Sequence, residues 1–169
     1  TIEAWIRENI QTILDFYKQN PGSKGAIIVN SPMTAKRIKA FFQDLAQSVS
    51  FPLSFAEHTG LTKEAGALSK DVLIGTSTVD IGVDFKVNFL LFESLDEGSF
   101  IQRLGRLGRH DGYERDEQRI LFENFVAYAM LPKYSYERLE AKLQKKAVFT
   151  REELLEAIKG DDSEENKSV

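Results

Sequence analysis

The chain has 169 residues, the size of one domain on the usual range of about 100 to 200. A content of 42% hydrophobic and 28% charged residues argues against a disordered tail or a membrane span for the whole. The net charge of −4 runs against the basic surplus of most nucleic-acid binders, but Arg151 to Val169 holds three Lys or Arg against seven Asp or Glu, and residues 1–150 balance at 19 of each. Zero cysteines exclude a disulfide framework and thiolate metal sites and fit an intracellular, cytoplasmic protein. No apolar run reaches the roughly 18 residues of a membrane helix, and no signal-like leader is present, so no membrane partner is expected. The chain opens at Thr1 inside a helical pattern, as a piece of a longer polypeptide or a processed form would.

Ile2, Trp5, Ile6, Ile10, Ile13, Leu14 and Tyr17 recur at helical spacing until Asn20-Pro21-Gly22-Ser23 breaks the pattern. Gly25 to Asn30 is a continuous apolar run that turns polar, the pattern of a parallel strand buried on both faces. An amphipathic helix over Thr34 to Gln47 follows, with Ile38, Phe41, Phe42 and Leu45 on one face. Further strands are predicted over Phe51 to Glu57, Asp71 to Thr76, Val87 to Phe92 and within Arg119 to Ala129, with helices over Ser99 to Arg109 and Lys133 to Gln144. This alternation predicts an α/β domain with a mostly parallel sheet, spanning residues 1–149. A last helix over Arg151 to Lys159 opens with Thr150 and Glu153 in capping-box spacing, and the acidic stretch after Gly160 is expected to be disordered. Asn30-Ser31, Glu57-His58, Thr76-Ser77-Thr78 and Glu93-Ser94 turn polar where the strands stop, which is where open α/β sheets place ligands.

In FIQRLGRLGR (Phe100 to Arg109), one helical turn of about 100° per residue puts Gln102, Arg106 and Arg109 within roughly 60° of one another. Phe100, Leu104 and Leu107 point the other way, and Arg103 lies about a quarter turn from the polar cluster. Converging guanidiniums repel unless an anion lies between them, and their planar forks suit phosphate oxygens. Gly105 and Gly108 each cost a helix about 1 kcal/mol relative to alanine, which implies close backbone approach. The plain alternative is a solvated helix whose arginines pair with Asp111, Glu114, Asp116 and Glu117.

TSTVDIGVDF (Thr76 to Phe85) leaves a predicted strand. Hydroxyls there can bind phosphate oxygens, Gly82 permits a geometry barred to a side chain, and Asp84 can accept from a ribose hydroxyl. An ordinary strand-to-loop connection is the alternative. The His110-Asp111 doublet could belong to a metal-dependent nuclease, but such sites need several more ligands and the only other histidine is His58. It reads instead as the last turn of the arginine helix followed by an Asp111-Gly112 turn, with no metal site assigned.

At these residues the sequence resembles superfamily 2 helicases. QRLGRLGR is similar to their motif VI and TSTVDIGVD to motif V, while GAIIVNSPMTAKRI stands in the place of motif IV and His58-Thr59-Gly60 in that of a short His-containing stretch. DVLIGTSTVDIGVDF, VNFLLFES and SFIQRLGRLGRHDGY look most like the CRISPR-associated type I helicase, particularly its type I-D form. The resemblance implies the second RecA-like domain, a three-layer α/β fold, of a motor that hydrolyses ATP with Mg²⁺ and translocates on single-stranded DNA. It further implies arginine fingers at Arg106 and Arg109 with Gln102 beside the γ-phosphate, Gly82 and Asp84 in the nucleotide cleft, and Ser31, Thr76 and Thr78 toward the nucleic-acid backbone. The implied partners are a first RecA-like domain, in the same polypeptide or another, single-stranded DNA and a CRISPR effector complex.

The chain contains no G-x-x-x-x-G-K-[ST] loop and no acidic Walker B run. By itself it is therefore expected to be inactive, with ATP and Mg²⁺ held mainly by the first domain. A RecA-like module that binds phosphate or a protein without turnover is the alternative function.

Overall fold

Apolar runs of four or five residues are too short for helices and pair as strands. The structure is a computed structural model that describes residues 1–48, 51–62, 64–77, 84–143 and 148–158. It contains β1 (Gly25–Ile28), β2 (Phe55–His58), β3 (Val72–Gly75), β4 (Phe89–Glu93), a hairpin of β5 (Gly112–Arg115) and β6 (Gln118–Leu121), and β7 (Val126–Met130). Five of these form one sheet in the order β2-β3-β1-β4-β7, parallel at every pairing. β1 and β3 are buried along their whole length, as strands covered on both faces must be.

The helices are α1 (Ile2–Glu8), α2 (Ile10–Gln19), α3 (Pro32–Ser48), α4 (Glu97–Leu104), α5 (Lys133–Lys142) and α6 (Arg151–Ile158). Side chains alternate along β1, so Ile27 and Val29 meet Ile6, Ile13 and Phe42 of α1 to α3. Ala26 and Ile28 meet the other layer, which includes Phe85, Val87 and Phe100, with Leu104 and Leu154 packed against it. The result is three layers. Phe89 lies at the centre of the first, 1% exposed, with Phe16, Tyr17 and Tyr128 rings at 5.3, 5.7 and 6.0 Å.

α3 takes the chain from β1 onto the first face, whereas Phe85 and Val87 before β4, and α4 after it, lie on the second. Neighbouring strands therefore send their connections to opposite faces, which opens a crevice at the carboxyl ends of β3, β1 and β4. At the opposite end buried Asn88 joins three segments. Its Oδ1 accepts from the Lys24 N–H at 3.0 Å, and its Nδ2 donates to Ser23 Oγ at 3.0 Å and the Asn124 carbonyl at 2.8 Å.

Three expectations change. The opening helix is two, because the chain breaks at Asn9, whose Nδ2 donates back to the Trp5 carbonyl at 2.9 Å. The strand expected within Arg119 to Ala129 is two separate strands, β6 in the hairpin and β7 at the sheet edge. The hairpin turns at Asp116 and Glu117, with φ of 49° and 63°, so these acids form a tight turn instead of pairing with the arginine segment; Asp116 lies 3.7 Å from Arg115. The capping box is present: Thr150 Oγ1 accepts from the Glu153 N–H at 3.1 Å and Glu153 Oε2 from the Thr150 N–H at 3.0 Å. The acidic stretch after Gly160 lies outside the described residues.

Phe89→Ala is expected to cost about 3–5 kcal/mol, the usual range for emptying a packed aromatic site. Met33→Ala, at a residue 58% exposed, should change stability by less than about 0.5 kcal/mol. Urea unfolding of the two variants measures the difference, and equal midpoints would contradict this core.

Candidate nucleotide and nucleic-acid site

At the carboxyl ends of the strands the backbone leaves β1 through Asn30 and Ser31. Pro32 then begins α3, a position where its missing N–H costs nothing, and Ser31 Oγ accepts from the Met33 N–H at 3.2 Å. The Asn30 N–H donates to Glu93 Oε2 at 2.9 Å, drawing the ends of β1 and β4 together. Ser31 is half-buried, and Thr76, at the end of β3, is 6% exposed. Thr78 and Gly82 lie outside the described residues.

α4 starts at Asp96, whose side chain accepts from the Ser99 N–H at 2.8 Å. That bond leads the interactions that hold the Asp96 carboxyl below its usual range. Seven residues on, Arg103 is 4% exposed. Its Nη1 donates to Asn30 Oδ1 at 2.8 Å and to the Glu93 main-chain carbonyl.

The helix expected over Ser99 to Arg109 ends at Leu104. Gly105 caps it, and Gly108 has φ +71° with open space where a Cβ would lie. The glycine at 108 therefore serves a left-handed backbone and not a close approach. Arg106 and Arg109 sit in the turns after the helix, so a common helical face does not bring them into line with Gln102. Gln102 and Arg109 are exposed and Arg106 is half-buried.

The turn carries Arg109 and His110 to the segment before β4. His110 Nε2 lies 2.8 Å from Asp84 Oδ1; an ionised carboxylate only accepts, so Nε2 carries the proton. This bond is the main cause that holds the Asp84 carboxyl below its usual range, and the charges of Arg109 and Lys86 act in the same direction. His110 is thus not in a last helical turn but across from Asp84. Asp111 accepts from Arg119, and Gly112 begins β5. Asp84 also borders a polar cleft of ≈ 410 Å³, with Lys24, Leu73, Lys86 and Tyr113 among its walls.

Arg103 and His110 are the two site residues that the sequence pattern passed over. Arg103 has a signal: it falls in the helical phase of Phe100 and Leu107, facing inward. His110 has none, because its partner is 26 residues away.

The sequence model of a family described as CRISPR-associated nuclease/helicase Cas3, C-terminal, matches residues 2–112, from α1 through the arginine turn. The chain belongs to this Cas3-like family. Its fold is that of a second RecA-like helicase domain, as the solved structures agree. A Cas3–AMPPNP structure from T. fusca superposes with a TM-score of 0.53 at 15% identity, over 98% of this chain and 22% of that one. The C-terminal domain of the DEAD-box protein Dbp5 gives 0.52 at 15% identity, over 90% of both chains. Domain 2 of the DEAD-box helicase Mss116p, solved bound to an RNA duplex, gives 0.51 at 17% identity, over 95% of this chain and 65% of that one. No curated protein matches the chain at a significant level. The family match ends where the hairpin begins, so β6, β7, α5 and α6 of this Cas3-like domain lie beyond it.

Because the Asp84 carboxyl is depressed in the folded state, its stabilising contribution is complete above the unfolded pKa of about 3.9 and fades as pH falls through the lower folded value. Asp84→Asn should therefore be less stable than the parent at pH 7, with the gap closing as pH falls below about 4. Urea midpoints of both proteins across this range measure it. A gap that is constant with pH would contradict the pairing with His110.

Proposed function

We propose that this Cas3-like domain is the second motor domain of an ATP-dependent superfamily 2 helicase or translocase that acts on single-stranded DNA in type I CRISPR interference, in a system of type I-D. The observation that carries this reading is the turn Gly105 to His110, which presents exposed Arg109 next to an ionised Asp84 on a segment anchored by buried Arg103.

In this reading Arg106 and Arg109 reach across a domain cleft to the γ-phosphate. Planar guanidiniums match phosphate oxygens in pairs, and a positioned arginine stabilises the charge of phosphoryl transfer by factors of about 10³ to 10⁵ where measured. Gln102, exposed near the end of α4, is assigned to the same nucleotide although the structure does not align it with them. Asp84 keeps acceptor capacity beyond its one bond to His110, and its side chain is 60% exposed, so it suits a ribose hydroxyl; Gly82 is assigned to the same nucleotide from its place in the sequence motif. Ser31 at the start of α3, with Thr76 and Thr78, would follow the DNA backbone at the carboxyl ends of the strands, where a hydroxyl and helix N–H groups suit phosphate.

The residues here fit the phosphate end of ATP and not the metal. Among the described residues no three His, Cys, Asp or Glu side chains group closely enough to hold an ion. Mg²⁺, which neutralises phosphate charge when bound, belongs with the P-loop of a first RecA-like domain. Domain closure would then bring the arginine turn onto a nucleotide held by the partner. A shared DNA path also accounts for the even charge of residues 1–150, with 19 of each sign.

The isolated chain is expected to show no ATP turnover and only weak, steeply salt-dependent binding to single-stranded DNA. Joined to its first RecA-like domain it should hydrolyse ATP in response to DNA, and Arg109→Ala should lower kcat by about 10³-fold or more. Steady-state ATPase assays on both forms decide it. Turnover by the isolated chain, or turnover unaffected by both Arg106→Ala and Arg109→Ala, would overturn the assignment.

A further inference from the structure

Burying a guanidinium is costly unless its donors are matched. An unbranched apolar side chain such as methionine would fill the same space without that cost, so packing alone does not call for Arg103. What the guanidinium adds is direction. Arg103 donates to the Asn30 side chain at 2.8 Å and to the Glu93 carbonyl, while the Asn30 N–H donates to Glu93 Oε2 at 2.9 Å. The three residues close a ring across the ends of β1 and β4. On one side of the ring Asn30 leads directly into Ser31 and α3; on the other Arg103 is three residues before Arg106 in the arginine segment.

We propose that this ring couples the two functional edges of the domain. Arg103 and Asn30 are positioning residues: a shift of the arginine turn against nucleotide moves Arg103, Arg103 carries the shift to Asn30, and Asn30 resets Ser31 against the DNA backbone. The inference rests on the motor reading above. It adds a route by which occupancy of one edge changes the grip at the other, and coupling of this kind commonly amounts to about 5- to 150-fold in affinity.

The test uses the motor that contains this chain and its first RecA-like domain, with an oligothymidylate as the DNA probe. ATP turnover is measured against oligonucleotide concentration for the parent, Asn30→Ala, Arg103→Gln, Arg103→Lys and Arg109→Ala. Asn30 is exposed, so its variant keeps the fold even where Arg103→Gln loses stability, and thermal melts verify this. Asn30→Ala should leave DNA-free turnover and the KM for ATP within about twofold, and both Asn30→Ala and Arg103→Gln should raise the DNA concentration for half-maximal stimulation by about tenfold, within the usual span of coupling. Arg103→Lys should fall between, because an ammonium has donors enough for both acceptors but lacks the planar group that fixes the direction of Nη1 toward them. A folded Asn30→Ala variant with parental half-saturation would overturn the coupling, as would equal loss of DNA-free and stimulated turnover. A parent without DNA-stimulated turnover, or Arg109→Ala retaining it in full, would instead overturn the motor reading and the ring's role with it.

Discussion

β1 has a strand on each edge and a helical layer on each face. Every backbone group of Gly25–Ile28 must therefore pair within the sheet, and every side chain must meet an apolar neighbour. Four residues without a polar side chain meet both demands, and the first polar residue, Asn30, waits until the strand has ended. The chain leaves β1 onto one face through α3, whereas Phe85 and Val87 before β4 and the helix after it lie on the other. The crevice at the carboxyl ends follows from that divergence, and so does the meeting there of Asn30, Ser31, Thr76 and Glu93.

Buried polar groups then pin this strand at both ends. Asn88 ties the starts of β1, β4 and β7 with three bonds, and Arg103 ties the ends of β1 and β4. Each of these polar side chains is satisfied by partners from different segments, so each fixes a relative position that apolar packing would leave free to slide. Outside this frame the arginine turn hangs from α4, and Gly108 sets its path through a left-handed conformation.

The legibility of the sequence follows burial. β1, β3 and β4 are plain in it because strands covered on both faces need unbroken apolar runs, and Gly25 to Val29, Val72 to Gly75 and Phe89 to Phe92 supply them. The hairpin is hidden because its strands are largely exposed and carry no alternating pattern, and its turn is Asp116-Glu117 instead of the Asn-Gly pair that marks such turns. The end of α4 is hidden for a different reason: Leu104 and Leu107 keep helical spacing past the point where the helix stops, and the turn shows only in the backbone, in the tight bonds of Arg106 and Leu107 and the left-handed Gly108. Arg103 is disguised by its charge, since an inward phase on an arginine is read as solvent-facing by habit. The cluster of Arg109, His110 and Asp84 was half legible. The segments that carry Arg109 and Asp84 stand out in the sequence, but a contact across 26 residues has no local signature.

The exposed part of that cluster bears on why such a domain would act in partnership. Arg109 and Asp84 are both exposed, and the bond from His110 keeps the Asp84 carboxylate charged beside the arginine. In water such a pair is screened and contributes little to stability. In a closed cleft, with water removed, the same charges act at much lower effective dielectric and their fields grow several-fold. In the proposed motor the arginine turn would interact weakly while the domains are apart and direct strongly when they close. If the proposed finger role holds, Arg106 and Arg109 would gain their strength from a partner surface that excludes solvent, and the nearby Asp84 carboxylate would offset the Arg109 charge until phosphate arrives.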